Sequence, residues 1–326
     1  MTVNMRHITP LFLLAALLLA GCAHDEVSSE QGNHAIRLNV DLSRMMEGTR
    51  ALTIDNNTAL QGQDLRIDAY YHDTETAYLS NTKLHYESSW KFWDGSAELH
   101  YYWPIEGSVE TASSITISSL DFVGYCPFTT PSYITSEDYD ASDGVTFTCD
   151  LSSYMTLASQ ASMQEYLVAV LDAQTYATQT AAGGALPLNF KHPFALVKFT
   201  ITAASGTNVQ INSISLDELY TGGTCAYDGS TMTWSSLSGS ATMTLAQTLK
   251  NGGTPDGTPF VVIPNDYGSK TLTVNATWDD WSNPLTMDVS ANVTFNWTAG
   301  HIYTYNLTLE KYALKVETTS TYTEQW

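Results

Sequence analysis

The sequence predicts an all-β protein whose antiparallel sheets form sandwiches. Beyond residue 35 the chain is a succession of short segments in which apolar and polar residues alternate, as they do in half-buried strands. Gly, Pro, Asn and Asp residues separate these segments about every 8–15 residues. The pattern does not alternate strands with helices, as a parallel sheet would need. A chain of 326 residues has the length of two domains or of one large β domain.

Residues 1–21 predict a secretory signal peptide, because Arg6 and His7 precede an apolar run that is too short to cross a bilayer. The run ends in Leu-Ala-Gly-Cys, which resembles a bacterial lipobox. This resemblance implies cleavage before Cys22 and a lipid on its thiol, which would anchor the protein to the outer membrane. Residues 22–35 are polar and are interpreted as a lipidated tether. The alternative is an ordinary signal peptide followed by a stray cysteine.

One short segment near the N-terminus is the candidate functional element. Four alternating apolar residues predict a half-buried strand over residues 36–42. These residues are Ile36, Leu38, Val40 and Leu42. The segment that follows, up to residue 63, has no clear period and is expected to be a loop. Arg44 and Arg50 are its only basic residues.

The remaining strand predictions rest on alternation, on short aromatic runs and, over 165–172, on an apolar run short enough for a buried strand. In the N-terminal half they cover 65–71, 82–86, 90–93, 99–103, 114–125, 145–151 and 165–172. In the C-terminal half they cover 194–201, 209–216, 231–234, 241–245, 259–263, 270–278, 285–295 and 301–309. Residues 151–164 favour a short helix or a turn. Residues 138–144 and 178–185 favour loops, and the pair Gly222-Gly223 favours a turn.

The chain ends in a further alternating stretch over residues 312–326. Its apolar members include Leu314, Val316, Tyr322 and Trp326. Apolar groups at a chain terminus need a surface on which to dock, so this tail is a candidate for pairing with another strand.

The cysteine count leaves the disulfide state open. Beyond Cys22 there are three cysteines, so at least one has no partner within the chain. A disulfide between Cys126 and Cys149 is one alternative.

Composition and motifs exclude several function classes. The formal net charge of −21 argues against binding to nucleic acid or to anionic lipid. The sequence contains no G-x-S-x-G, H-E-x-x-H or P-loop motif, so we expect no enzymatic activity. It has no Cys/His spacing typical of zinc, and Asp138, Asp140 and Asp143 match a calcium loop only in part. We therefore expect neither a metal site nor a cofactor.

Three passages carry a more specific pattern. Residues 101–127 contain YYWP and then LDFVGYCP, residues 188–199 read LNFKHPFALVKF, and residues 297–307 read WTAGHIYTYNL. In order and spacing these passages resemble motifs of the fimbrillin-like proteins, which are lipoproteins of Gram-negative anaerobes that build surface fimbriae. The resemblance implies two tandem transthyretin-like β-sandwich domains, here 36–185 and 186–326. In the first domain, residues 36–50 would be a removable strand and loop.

The resemblance also implies a mode of assembly with other fimbrial subunits. A trypsin-like protease would cut after Arg50 and before Ala51, or alternatively after Arg44. The strand over 36–42 would be lost, and the tail 312–326 of a neighbouring subunit would take its place as a donor strand. The protein would begin as an outer-membrane lipoprotein and end in a cell-surface fimbrium. If no cut occurs, it would remain lipid-bound as a fimbrial anchor.

A different function class also fits the sequence. Trp278, Asp279, Asp280 and Trp281 form a candidate glycan contact, because Trp rings stack on sugars and carboxylates accept hydrogen bonds from sugar hydroxyls. The protein would then be a glycan-binding surface lipoprotein, with a host glycan or protein as its receptor. The alternative interpretation of the cluster is a strand end with one Trp in the core.

Overall fold

The structure, a computed structural model, confirms the all-β class. It describes residues 34–42, 56–106, 116–117, 119–204, 208–250, 252–253, 259–279, 284–311, 313–317 and 324–325. None of the helices in these ranges is long and apolar enough to span a membrane. The tandem transthyretin-like topology stays a prediction.

The strands are numbered in chain order. The first twelve are β1 (Leu38–Leu42), β2 (Leu65–Tyr71), β3 (Ala77–Tyr86), β4 (Trp90–Trp93), β5 (Glu98–Leu99), β6 (Ile105–Glu106), β7 (Thr116–Ile117), β8 (Leu120–Cys126), β9 (Ile134–Asp140), β10 (Gly144–Asp150), β11 (Leu167–Gln174) and β12 (Leu186–Phe190). The others are β13 (Ala195–Ala203), β14 (Val209–Leu219), β15 (Gly222–Tyr227), β16 (Met232–Ser238), β17 (Ala241–Lys250), β18 (Gly252–Gly253), β19 (Phe260–Val262), β20 (Asp266–Trp278), β21 (Leu285–Asn296), β22 (His301–Glu310), β23 (Ala313–Glu317) and β24 (Glu324–Gln325). The helices are α1 (Asn57–Gln61), α2 (Leu157–Gln160) and α3 (Tyr176–Ala181), with a 3₁₀ turn at Ser152–Tyr154.

The first half of the chain has three layers. Its middle layer, the N-terminal sheet, has six strands in the order β11-β8-β2-β3-β4-β5. The central strand β8 is buried along its whole length. Leu120 and Phe122 on β8 belong to a first core that includes β1 and β12, whereas Val123 and Tyr125 belong to a second core. The N-terminal sheet is therefore covered on both faces, which explains why β8 lacks the alternation of a half-buried strand.

The layer on the second face is assembled from both halves of the chain. We call it the bridging sheet; its order is β16-β15-β10-β9. The hairpin β15–β16 thus extends a sheet begun by β9 and β10, with Phe147 opposite Cys225. The predicted turn at Gly222-Gly223 is wrong, since both glycines lie within β15. A Cβ at Gly223 would come within 2.9 Å of the Leu237 side chain on β16, so a larger residue here would force that side chain to move.

The second half of the chain adds two further sheets around the second core. One is mixed, with the order β18-β13-β22-β23, and β19 and β24 join its inner strands. The other is antiparallel, with the order β17-β14-β20-β21. Two strand pairs, β1–β12 and β13–β22, are parallel, which the sequence analysis did not anticipate. Both pairs join strands far apart in the chain, and such separation is what a parallel pair needs.

A short junction connects the two cores. Strand β12 lies in the first core, and residues 191–194 lead from it directly into β13 of the second. His192 and Phe194 are buried in this junction, and His192 Nδ1 lies 2.8 Å from Glu165 Oε1. The predicted domain boundary at residue 185 stays a prediction, although β12 and the hairpin β15–β16 pack across it.

Two segments differ from their predicted loops. Residues 178–185 contain most of helix α3, whose capping residue Thr175 accepts a hydrogen bond from Thr178 N–H. The predicted loop over 138–144 begins inside β9, which the sequence analysis missed. In the turn between β9 and β10, Asp140 Oδ1 accepts hydrogen bonds from the N–H groups of Ser142 and Asp143. The carboxylate is thus engaged by its own backbone, an arrangement common in turns.

The three described cysteines are buried and free, so the alternative of a Cys126–Cys149 disulfide is wrong. Burial raises the pKa of all three thiols, that of Cys149 to about 12. Since the thiolate is the reactive form, these groups should be inert in the folded protein.

We expect native protein beginning at Ala51 to give no fast reaction with a thiol-reactive disulfide reagent. In guanidinium chloride all three thiols, Cys126, Cys149 and Cys225, should react. The measurement is absorbance of the released thiolate with and without denaturant. A single reactive thiol after unfolding would instead mean that two cysteines are bridged.

Candidate functional site: the first strand and the chain terminus

The predicted first strand forms as β1 and is buried on its apolar side. Ile36, Leu38, Val40 and Leu42 are each between 4% and 6% exposed and belong to the first core. Between them, Arg37 and Asn39 are exposed, so the alternation places one face inward. Strand β1 is therefore an integral part of the packed first half of the chain.

Its backbone pairs with one strand. The register of the parallel β1–β12 pair runs from Leu38 opposite Leu186 to Leu42 opposite Phe190. In the sheets of the described residues, β1 has no other strand neighbour. Beside its second edge lies a groove of about 620 Å³, lined by β1 and by residues that include Tyr86, Trp90 and Leu99. Loss of β1 would thus break one ladder and widen an existing groove.

One side chain holds the start of this strand. Gln179 in α3 is 3% exposed, and its Oε1 accepts hydrogen bonds from Arg37 N at 2.9 Å and from Trp103 Nε1 at 3.2 Å. Its Nε2 donates to Ala35 O at 2.8 Å. Sequence reasoning missed Gln179 because its segment was interpreted as a loop. The only available signal was the Thr175-x-x-Thr178 cap, which predicts a helix start just before it.

Two further hydrogen bonds hold the ends of the segment. At the start, Ile36 N donates to Tyr101 O at 2.8 Å. At the far end, Leu42 N donates to Asn57 Oδ1 at 2.7 Å, and Asn57 opens helix α1. In between, Asp41 Oδ1 is buried and has no hydrogen-bond partner among the described residues. A buried oxygen without a partner weakens the hold on the strand by about 1–3 kcal/mol.

The partner strand β12 is held against the N-terminal sheet by close packing. Leu188 and Phe190 are fully buried and lie over Gly124 of β8. A Cβ at Gly124 would lie 2.7 Å from Phe190 Cζ and 3.0 Å from a Leu188 methyl group. Glycine at this position thus lets β12 approach the sheet, and β12 would keep its place without β1.

The C-terminal tail pairs with its own half of the chain. Strand β23 runs antiparallel to β22, with Leu314 opposite Leu309 and Val316 opposite Leu307. Leu314 and Val316 are half-buried against the second core, whereas Ala313 and Lys315 are exposed. The predicted alternation is therefore present. Among the described strands β23 pairs with β22 alone, so it is an edge strand.

The remaining predicted site residues divide into two groups. Trp278 is 2% exposed and lies in the second core, which argues against the predicted glycan contact because stacking needs an exposed ring face. Asp279 Oδ2 accepts a hydrogen bond from Asn208 at 3.1 Å and closes the ends of two strands. The others lie outside the described residues: Cys22, Arg44, Arg50, Ala51, Asp280, Trp281, Tyr322 and Trp326.

Comparison with known proteins agrees with this architecture. A candidate cell adhesion protein of Bacteroides uniformis ATCC 8492 is 17% identical, with a TM-score of 0.52, over 90% of this chain and 99% of that chain. A second, from Bacteroides ovatus ATCC 8483, is 15% identical with a TM-score of 0.50, over 90% and 96%. The tip fimbrial protein Mfa3 of Porphyromonas gingivalis, with C-terminal truncation, is 8% identical with a TM-score of 0.41, over 89% and 99%.

No curated protein sequence matches the chain significantly. A protein-family model described as fimbrillin-like matches residues 49–326. This range covers most of the sequence, including the N-terminal sheet, the second core and the tail strand β23, but not strand β1. The chain belongs to the fimbrillin-like family.

Proposed function

We propose that this protein is a non-catalytic structural subunit of surface fimbriae that assembles by strand exchange. In this proposal the chain is exported as a lipoprotein through Cys22 and cut after Arg50. Strand β1 then leaves, and the tail of a neighbouring subunit enters beside β12. Membership of the fimbrillin-like family supports the fimbrial role.

The observation that carries the exchange is the position of β1. It precedes the predicted cut in sequence, its apolar face is buried, and it pairs with β12 alone among the described strands. Four buried side chains contribute about 6–12 kcal/mol at 1.5–3 kcal/mol each. Once β1 leaves, the β12 edge and the apolar side chains that β1 covered would require a replacement strand of the same pattern.

The tail has the pattern that such a replacement needs. β1 and β23 each span five residues, and each places alternate apolar side chains on one face. In the free subunit β23 lies on its own β22, so donation requires it to detach from that edge. A contact from the tail of one subunit to the groove of the next is head-to-tail, and it produces a filament when it does not close.

Limited trypsin digestion of the purified protein tests this proposal. We expect a product that begins at Ala51 and then forms oligomers that survive detergent without heating. The Arg50→Ala variant should stay uncut and monomeric, whereas Arg44→Ala should behave like the wild type. Size-exclusion chromatography and N-terminal sequencing measure both steps.

A tail deletion separates cleavage from assembly. A variant that lacks residues 312–326 should be cut at the same rate but form fewer or no oligomers. The deletion also removes Leu314 and Val316 from the second core, so circular dichroism must show that the variant is folded. If trimmed wild-type protein stays monomeric, strand exchange is refuted. If Arg50 is not cut although the protein is native, the anchor role is favoured.

A further inference from the structure

Three metal-ligating side chains meet at one end of the N-terminal sheet. His72 directly follows β2, Asp121 lies at the start of β8, and Asp172 lies near the end of β11. These strands are neighbours in the order β11-β8-β2. His72 Nδ1 lies 2.9 Å from Asp121 Oδ1 and 3.2 Å from Asp172 Oδ1. The fold thus brings one imidazole and two carboxyl groups together from distant parts of the sequence.

The distances between these ligand atoms resemble the distances between ligand atoms around a bound metal ion. Zn²⁺ bonds to His nitrogen and carboxylate oxygen are about 2.0–2.1 Å long, so neighbouring ligand atoms in a tetrahedron lie about 3.3 Å apart. The two distances from His72 Nδ1, 2.9 and 3.2 Å, are close to this value, and all three ligand atoms lie within 4.8 Å of one another. A divalent ion could therefore enter once the exposed Asp172 side chain adjusts. We propose that His72, Asp121 and Asp172 form a binding site for a divalent transition metal of the zinc class.

The surroundings supply the second layer of contacts that metal sites use. Tyr139 Oη donates to Asp121 Oδ2 at 2.7 Å, and Ala173 N donates to Asp121 Oδ1 at 2.7 Å, so both carboxylate oxygens are held while Oδ1 faces His72. His72 Nε2 lies 3.4 Å from Asp73 Oδ1, on the side of the ring away from Asp121. Ligating histidines commonly orient their second nitrogen toward a carboxylate, and ligating carboxylates are commonly hydrogen-bonded. Asp121 itself is 1% exposed, so the central ligand is held rigidly.

The charges favour a cation at this point. Besides His72, the cluster contains three carboxyl groups, those of Asp73, Asp121 and Asp172. Carboxylates this close together repel one another, and a bound divalent cation would offset that repulsion.

Access and coordination number indicate an open site rather than a closed one. The Asp172 side chain is 66% exposed and that of His72 is 27% exposed, so the site opens to solvent. Three protein ligands leave a fourth position for water. Bound metal would tie the ends of β2, β8 and β11 together. This proposal is independent of cleavage and strand exchange.

Titration of the purified protein with Zn²⁺ tests the site. By calorimetry we expect one saturable site per chain, and binding should raise Tm because the ion binds the folded state. His72→Ala and Asp172→Asn should each weaken the affinity at least about tenfold. Asp172→Asn changes a mostly exposed side chain, so its circular dichroism and Tm without metal should stay close to those of the wild type. His72→Ala also removes a partner of the buried Asp121, so circular dichroism must show that this variant is folded.

A second histidine–carboxylate pair provides the matched control. His85 Nδ1 lies 2.7 Å from Asp64 Oδ1, but Lys83 occupies the other oxygen of Asp64 at 2.8 Å. His85→Ala should therefore leave the affinity for Zn²⁺ unchanged. Co²⁺ should give a tetrahedral visible absorption band that His72→Ala abolishes. Absence of saturable binding, or equal affinity in wild type, His72→Ala and Asp172→Asn, would overturn the proposal.

Discussion

Replacing Arg66 by methionine is expected to lower the free energy of unfolding by about 3–5 kcal/mol. Arg66 Nη2 lies 2.6 Å from Glu137 Oε2, and the two side chains are 13% and 14% exposed. The guanidinium also lies 3.9 Å from the ring centre of Tyr125. Since β2 carries Arg66 and β9 carries Glu137, this pair joins the N-terminal sheet to the bridging sheet.

The loss of stability is large because the charge of Glu137 stays buried after Arg66 is replaced. Burial lowers the pKa of Arg66, but the hydrogen bond and charge of Glu137 outweigh this effect and raise it. Tyr166 Oη donates to Glu137 Oε1 at 2.7 Å, so the carboxylate is embedded in a buried network. Without Arg66 this carboxylate stays desolvated and loses its counter-charge, which is the costly case for a buried ion pair.

A second ion pair of the same length provides the control. Lys270 Nζ lies 2.6 Å from Glu218 Oε2, but the Glu218 side chain is 70% exposed. Lys270→Met should lower the free energy of unfolding by less than about 1 kcal/mol, because water screens the pair. Urea unfolding of both variants, followed by tryptophan fluorescence, measures the difference. Equal losses in the two variants would contradict the argument from burial.

Replacing Gln179 by alanine is expected to lower the free energy of unfolding by about 2–4 kcal/mol. The change removes the acceptor for Arg37 N and Trp103 Nε1 and the donor to Ala35 O. These groups then lack protein partners at a site from which water is largely excluded. Thr180→Ala in the same helix is the matched control, since Thr180 is exposed and should change stability by less than about 0.5 kcal/mol.

Hydrogen exchange shows where the Gln179→Ala variant loosens. Amides of residues 35–42 should exchange faster in this variant, whereas those of β13 should be unchanged. If β1 leaves during assembly as proposed, the cleaved variant should also form oligomers faster. Uniform acceleration across the whole chain would mean that Gln179 stabilises the fold generally and does not hold β1 in particular.

The local alternation of apolar residues predicted much of this architecture. Ile36 to Leu42 were assigned correctly because their period of two does not depend on which strand they meet. Their partner Leu186–Phe190 could not be identified, because parallel pairing joins segments that no sequence spacing connects. Residues on β8 do not alternate, because both faces of this strand are covered. The strand over 134–140 was not predicted, because its many acidic residues are not typical of a strand.

The functional contacts were less predictable than the strands for the same reason. Gln179 acts through residues more than a hundred positions away, and its polar segment has no apolar period. His72 and Asp121 are 49 positions apart, so no short ligand motif could reveal them. The Trp278 cluster was predicted from residue types alone, which do not determine whether a ring face is buried or exposed.

The junction at residues 191–194 determines how stiff the molecule is. A chain of two domains usually bends at an exposed linker, but here His192 and Phe194 are buried and Val168 exchanges two backbone hydrogen bonds with Lys191. Bending at this point would expose both side chains and break those bonds. The hairpin β15–β16 spans the same region as a second connection. Two rigid connections resist both bending and twisting, so each molecule should behave mechanically as a single stiff unit.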